Sequence, residues 1–215
     1  MPISLIVFDC DGVILESMDV KTKAFGMTVE EYGPEAVSRL IDYHIAHGGI
    51  SRYKKFEWFY KEVLQQSIDE DKLSKLAERF KNIAFEGVMS APMVPGALKT
   101  IEALHDRIPI YVASGAPHEE LKQVLHARNL IRFFKGVYGF PPGKTELLQR
   151  IIEQEGANAA DTLMVGDSST DLAAAQACGT LFFGRGESFK HSRWAWSEDL
   201  CDLIQYIYSM NDARE

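Results

Sequence analysis

Four apolar residues, Leu5-Ile6-Val7-Phe8, run straight into Asp9-Cys10-Asp11-Gly12. A short, branched and aromatic run with no polar alternation is the pattern of a strand buried on both faces, as in a parallel sheet. Open α/β sheets place their ligands at the carboxyl ends of such strands. Here that end carries two carboxylates two residues apart, so an extended backbone turns both toward one site, while Gly12 permits a turn that residues with a Cβ disfavour. Acids at the end of a buried strand are costly to desolvate, which points to a cation or to proton transfer. An acidic turn that caps a helix is the plainer alternative for this segment alone.

The rest of the chain extends the pattern. Ile108 to Ala113 leads to Ser114-Gly115, Thr162 to Val165 leads to Gly166-Asp167, Thr180 to Phe183 leads to Gly184, and Gly136 to Gly139 is a weaker strand candidate. Helical spacing lies between them, in Leu121, Val124 and Leu125 after Pro117, and in Leu147, Leu148, Ile151 and Ile152. Alternating strands and helices predict a parallel sheet covered on both faces. Residues 17–87 break the alternation with three helical stripes: Val37, Leu40, Ile41, His44 and Ile45; Tyr53, Phe56, Phe59, Tyr60, Val63 and Leu64; and Leu73, Leu76, Ala77, Phe80, Ile83 and Ala84. Gly33-Pro34 and His47-Gly48-Gly49 separate them. The expected organisation is an α/β core of residues 1–16 and 88–215 with an all-helical insert of residues 17–87.

Composition narrows the function classes. The 215 residues are 46% hydrophobic and 25% charged, ordinary values for a globular chain. The formal net charge of −8 with no basic block argues against a nucleic-acid partner. No apolar stretch approaches the ~18 residues of a membrane span, and no signal-peptide pattern opens the chain; a cytoplasmic protein with no membrane partner is expected. Cys10, Cys178 and Cys201 match no metal-binding spacing and are expected to be reduced thiols. Cys10 stands between the two acids, but alternation along an extended chain turns its side chain away from them. Gly143-Lys144-Thr145 is not a nucleotide-binding loop, because Tyr138 occupies the position of the glycine that the motif needs six residues before the lysine.

Asp9-Cys10-Asp11-Gly12-Val13, Ala113-Ser114-Gly115, Lys144 and Gly166-Asp167-Ser168-Ser169-Thr170-Asp171, in that order, resemble the motifs of the haloacid dehalogenase superfamily and, within it, of the phosphatases with a helical cap. The resemblance covers nearly the whole core and implies a Rossmann-like three-layer fold with an inserted helical cap. It implies Asp9 as a nucleophile that forms an aspartyl-phosphate, Asp11 as general acid and base, and Ser114, Gly115 and Lys144 as phosphate-binding groups. It implies a Mg²⁺ ion bound by Asp9, the backbone carbonyl of Asp11 and Asp167, with Asp171 behind them. These residue types suit phosphoryl transfer, which needs a nucleophile, a proton shuttle and positive charge around the moving group. The plainer alternative for Ser114 is a cap on the helix that follows, ahead of Pro117, Glu119 and Glu120. Lysine at position 144 would otherwise be a solvated surface residue.

Two departures from the family pattern blur the substrate: Glu16 precedes Ser17 where an aspartate is common, and Thr145 follows Lys144 where proline is common. In capped relatives a loop between cap helices supplies substrate contacts. The matching segment runs from His47 to Lys55, with Arg52 able to grip a carboxylate or phosphate through two parallel hydrogen bonds; His47, Lys54 and Lys55 share the segment. Phe56, Trp58 and Phe59 are expected in the cap core, and Trp194 and Trp196 are expected to be packing residues. The expected partner is a small phosphorylated metabolite, and the expected assembly a monomer or weak dimer. A sugar phosphomutase would share every core motif, and a scaffold that kept the fold without the chemistry is a third possibility. A true dehalogenase is disfavoured by Asp11, since a departing halide needs no proton; a phosphonate hydrolase, which carries a small residue at that position, is disfavoured too.

Overall fold

The computed structural model describes residues 3–212. In chain order the elements are β1 (Leu5–Phe8), α1 (Met18–Thr28), α2 (Pro34–Ala46), α3 (Arg52–Trp58), α4 (Glu70–Ser90), α5 (Ala97–Leu104), β2 (Ile110–Pro117) and α6 (His118–Ala127). They continue with β3 (Gly136–Phe140), α7 (Lys144–Glu155), β4 (Thr162–Gly166), α8 (Ser169–Cys178), β5 (Leu181–Arg185), β6 (Ala195–Ser197) and α9 (Leu203–Asp212). One six-stranded sheet has the order β3-β2-β1-β4-β5-β6, and every pairing is parallel. β1 is central, and the chain winds to one side of it and then to the other, so the switch in winding falls at the carboxyl end of β1, where Asp9 and Asp11 stand.

Alternation along β1 sorts the core into two layers. Leu5 and Val7 join Leu147, Leu148 and Ile151 of α7 and Ala174 and Ala175 of α8 on one face. Ile6 and Phe8 join Ala97 and Ile101 of α5, Leu121 and Leu125 of α6 and Leu203 and Ile207 of α9 on the other. All four residues of β1 are fully buried, as a strand covered on both faces requires. The short edge strand β6 does not stand out in the sequence: its three residues are half-buried and carry no apolar run. Trp194 packs edge-on against Phe182, and Trp196 lies against the same core layer.

The segment between β1 and α5 is helical. Gly33-Pro34 opens α2 with proline in its first turn. α3 runs on into a wider π turn over Phe59–Val63, and Asp69 caps α4 by accepting from the Lys72 N–H at 2.8 Å. Phe25, Leu40, Phe56, Phe59 and Phe80 are buried in the helical layer, and Trp58 stacks on Tyr43 at a ring separation of 3.8 Å. Ile45 departs from the α2 stripe: it is 63% exposed, because α2 turns its last apolar position outward. α4 continues past residue 87 to Ser90, where Arg128 donates to the carbonyls of Met89 (2.8 Å) and Ala91 (2.6 Å). The two connections between core and cap run side by side, with Glu16 N donating to Pro92 O and Val94 N to Ile14 O. Among the described residues no helix is long and apolar enough to cross a membrane.

Candidate active site

The residues just after β1 and β4, the carboxyl half of β2 and the first residue of α7 bring Asp9, Asp167, Ser114 and Lys144 together. Asp9 directly follows β1; its Oδ1 accepts from Cys10 N at 2.7 Å and its Oδ2 from Lys144 Nζ at 2.6 Å. Lys144 also donates to Asp171 Oδ1 at 2.5 Å. The other oxygen of Asp171 accepts from the backbone N–H of Ser168 at 3.1 Å and from the Ser168 hydroxyl, so Asp171 caps α8 while it orients the lysine. α8 begins at Ser169, directly after this cap. Lys144 is buried, unlike an ordinary surface lysine. Burial alone would favour its neutral form, but the charges of Asp171 and Asp9 outweigh that and hold it protonated well above the usual range.

The acids differ in environment. Burial raises Asp9 to about 7; Lys144 offsets part of this, while Asp171 and Asp11 add repulsion. Asp167 is pushed well above the carboxylate range by burial and by the charges of Asp9 and Asp171, and among the described residues no hydrogen-bond donor reaches it. For Asp11, burial is outweighed by Lys21 and Ser17, which hold the carboxyl below its usual range. Ser17 Oγ donates to Asp11 Oδ1 at 2.6 Å, and Lys21 of α1 hydrogen-bonds the other oxygen. Gly12, at φ +74°, makes the turn between them; a Cβ there would fall 2.0 Å from Asp167 Oδ2. Glu16, where the family pattern commonly has aspartate, accepts from Arg185 at 2.5 Å, and Arg185 also reaches the Gly12 carbonyl, which ties the β1 loop to the end of β5.

Ser114 lies within β2. Pro117 caps α6, one position ahead of the first-turn place expected of it, so Ser114 is not the helix cap. Its Oγ accepts from Ala116 N at 3.2 Å, which leaves the hydroxyl hydrogen free to donate into the cleft. Cys10 is buried among apolar side chains, and burial with the nearby charges of Asp11 and Asp9 raises its thiol far above neutrality.

Asp9, Asp167 and Asp171 each offer a carboxylate oxygen within 4.8 Å of the others. Two buried acids that share one lysine, with the half-buried Asp167 beside them, form an electron-rich, all-oxygen pocket that suits a small hard cation. Donors already sit on both oxygens of Asp9 and of Asp171, which leaves Asp167 as the acid of the three with unengaged oxygens among the described residues.

The cap closes over this floor. Thr170 Oγ1 donates to Gly48 O at 3.0 Å. Gly49, at φ +75°, comes so close that a Cβ there would lie 1.9 Å from Thr170 Oγ1 and 3.1 Å from Lys144 Nζ. A cleft of about 50 Å³ lies beneath, bounded by Asp9, Asp11, Ser114 and Asp167 below and by Lys21, His44, Arg52 and Lys55 above. Arg52 borders the cleft, but its guanidinium is taken up by Glu120 of α6, with bonds of 3.2 and 2.5 Å, and by Ala77 O at 3.2 Å, and it stacks on Phe80. Lys54 is exposed and does not line this cleft, and His47 hydrogen-bonds Tyr43 O. Sequence reasoning did not find Lys21, Glu120 or His44. The available signal was positional: Lys21 and His44 lie on helix faces that also carry cap-core residues.

A phosphate-sized cleft with paired acids, a buried lysine and a serine hydroxyl at a parallel sheet's carboxyl edge defines a class of phosphoryl-handling hydrolases. Residues 3–179 match the haloacid dehalogenase-like hydrolase family, and the chain belongs to it. It is 28% identical over 201 residues to a phosphoglycolate phosphatase of Vibrio parahaemolyticus, covering 88% of this chain and 86% of that one. It is 25% identical over 229 residues to a 5'-nucleotidase of Pseudomonas aeruginosa, covering 95% of each. A β-phosphoglucomutase of Clostridium difficile has the same fold, with a TM-score of 0.82 at 17% identity over 100% of this chain and 99% of that one. The protein is a phosphatase of this family.

Proposed function

We propose that the protein hydrolyses a small phosphate monoester through an aspartyl-phosphate on Asp9, with Asp11 moving the proton and Mg²⁺ held by Asp9, Asp167 and the backbone carbonyl of Asp11. The observation that carries this is the split between two neighbouring acids on one loop. Asp9 faces Lys144 and an unpartnered Asp167, whereas Asp11 faces Lys21 and Ser17. Different environments give two carboxyl groups different tasks.

A carboxylate oxygen of Asp9 attacks phosphorus as the ester oxygen leaves with a proton from Asp11. Water then attacks the acyl phosphate, gives its proton to Asp11, and releases phosphate with Asp9 restored as carboxylate. An incoming phosphoryl dianion repels the Asp11 charge and so favours the protonated form that the first step needs. Lys144 and the Ser114 hydroxyl stabilise the charge on the phosphoryl oxygens, Gly115 forms the adjoining backbone wall, and Asp171 holds Lys144 in line. A bound Mg²⁺ would supply positive charge to the phosphoryl oxygens and keep Asp9 ionised.

Inorganic phosphate release from a panel of phosphate esters, with Mg²⁺ or with EDTA, tests the proposal. Release is expected with Mg²⁺ and is expected to stop with EDTA. Asp9→Asn should abolish it while the protein stays folded, and Asp11→Asn should lower kcat by at least ~10²-fold. Undiminished turnover by Asp9→Asn would remove the nucleophile assignment, and turnover only with added sugar bisphosphate would indicate a mutase.

A further inference from the structure

Three cations line the cap side of the cleft, and they are not equivalent. Lys21 is neutralised by Asp11, and Arg52 by Glu120. Lys55 is 2% exposed, and among the described residues no carboxylate lies within ion-pair distance of it. Its Nζ lies 2.7 Å from His44 Nδ1, 3.4 Å from His44 O, and 5.3 Å from the centre of the Phe25 ring. These partners are neutral. His44 is also 2% exposed, borders the same cleft, and leaves its Nε2 without a hydrogen-bond partner.

A buried cation without a counter-ion is costly, and so is a buried ring nitrogen without a partner. Both defects sit in one wall of one cleft, opposite the acids that would handle the phosphoryl group. Each would be relieved by an anionic oxygen entering from the cleft.

We propose that Lys55 and His44 form a second anion-binding site in the cap, so that the preferred substrates are small phosphate esters whose leaving group carries a carboxylate or a second phosphate. This rests on the phosphatase reading of the same cleft. Lys55 is then a specificity-determining residue, and His44 holds its amine in place and offers the ring nitrogen as a further contact. The competing arrangement sends the leaving group into the adjoining apolar cleft between α4 and α6, walled by Ala84, Phe85, Val88, Leu121 and Val124.

The test is equilibrium binding by calorimetry at pH 7 with Mg²⁺, in an Asp9→Asn background so that turnover plays no part. The probes are phosphoglycolate against ethyl phosphate, and 3-phosphopropionate against propyl phosphate. In each pair the skeleton is constant and the second anion is present or absent. The acid member of at least one pair is expected to bind about 30-fold tighter, as a charged hydrogen bond to a buried group would give. In Asp9→Asn/Lys55→Met that advantage is expected to fall below about threefold, whereas a merely structural lysine would weaken both members alike. Equal binding within both pairs, or no binding of any probe, overturns the proposal. So does an advantage that survives Lys55→Met, which would assign the second anion to Lys21 or Arg52. Tighter binding of propyl than of ethyl phosphate with no acid preference would place the leaving group in the apolar cleft and overturn it as well. Because binding is read without turnover, failure here is separate from failure of the phosphate-release experiment.

Discussion

Burial sets the character of individual residues here more than residue type does. Lys144 and Lys55 are both almost fully buried lysines, yet they are pushed in opposite directions. Lys144 faces two carboxylates and is held charged, whereas burial and the charge of Lys21 lower Lys55 to about 7. Burial and the adjacent Lys55 lower His44 to about 3, so its ring is neutral at any working pH. The Lys55 shift has a stability consequence. Its ordinary value is 10.5, so between about pH 7 and 10.5 the unfolded chain holds a proton that the folded chain lacks, and stability rises with pH across that window. Below pH 7 both states carry the proton and the burial penalty is at its full size. Lys55→Met is therefore expected to be more stable than the parent by on the order of 2–4 kcal/mol near pH 6.5, with the gain shrinking toward pH 9.5. Urea denaturation of both proteins at the two pH values measures this, since the neighbouring charges of Lys21, Asp11, Lys144 and Asp167 are common to both. A gain that does not change with pH would contradict it.

Among the elements, the loop between α2 and α3 has the closest fit. Gly48-Gly49 rests directly on the turns that carry Thr170, Lys144 and Gly115; a Cβ on Gly115 would fall 2.2 Å from the Gly49 carbonyl oxygen. Gly49 combines a left-handed backbone with this near contact, so a side chain there both strains the turn and lifts the loop. Gly49→Ala is expected to cost about 1 kcal/mol or somewhat more in global stability. Its larger effect should be on turnover, with kcat/KM down by roughly 10- to 100-fold, because the cap no longer excludes water from the cleft. Steady-state kinetics beside a denaturation curve separates the two effects. Beside that loop, the cap that Asp171 gives α8 shows how an ordinary helix start also serves the site: the carboxylate that receives the Ser168 N–H also fixes Lys144.

For the molecule as a whole, a cross-domain ion pair joins the cap to the core. Arg52 reaches from α3 to Glu120 on α6 and buries its guanidinium over Phe80. Removing one partner leaves a buried charge unpaired, which costs more than a surface pair would suggest. Glu120→Gln is expected to destabilise the protein by about 1–3 kcal/mol, and Arg52→Met/Glu120→Gln by less than the sum of the single changes. A double-mutant cycle in urea measures the coupling, and strict additivity would show that the pair does not hold cap to core.

Much of this was legible in the chain. The run Leu5–Phe8 announced a buried parallel strand because burial on both faces leaves no room for polar alternation, and Asp9, Asp11, Ser114 and Asp167 follow local strand and turn signals, whereas Lys144 is marked by the family resemblance. The helical insert was visible because its stripes repeat at the period of a helix. What spacing could not show is who neutralises whom. Arg52 had the chemistry of a substrate grip, but Glu120, 68 residues further on, takes up its guanidinium. Lys55 looked like one basic residue among several, and becomes distinctive because the packing of α2 against α3 buries it beside His44 with, among the described residues, no carboxylate at ion-pair distance. Periodicity and turn chemistry are local and are written in the sequence. Pairing of buried charges depends on distances between elements far apart in the chain, and those distances exist only once the cap has folded onto the sheet.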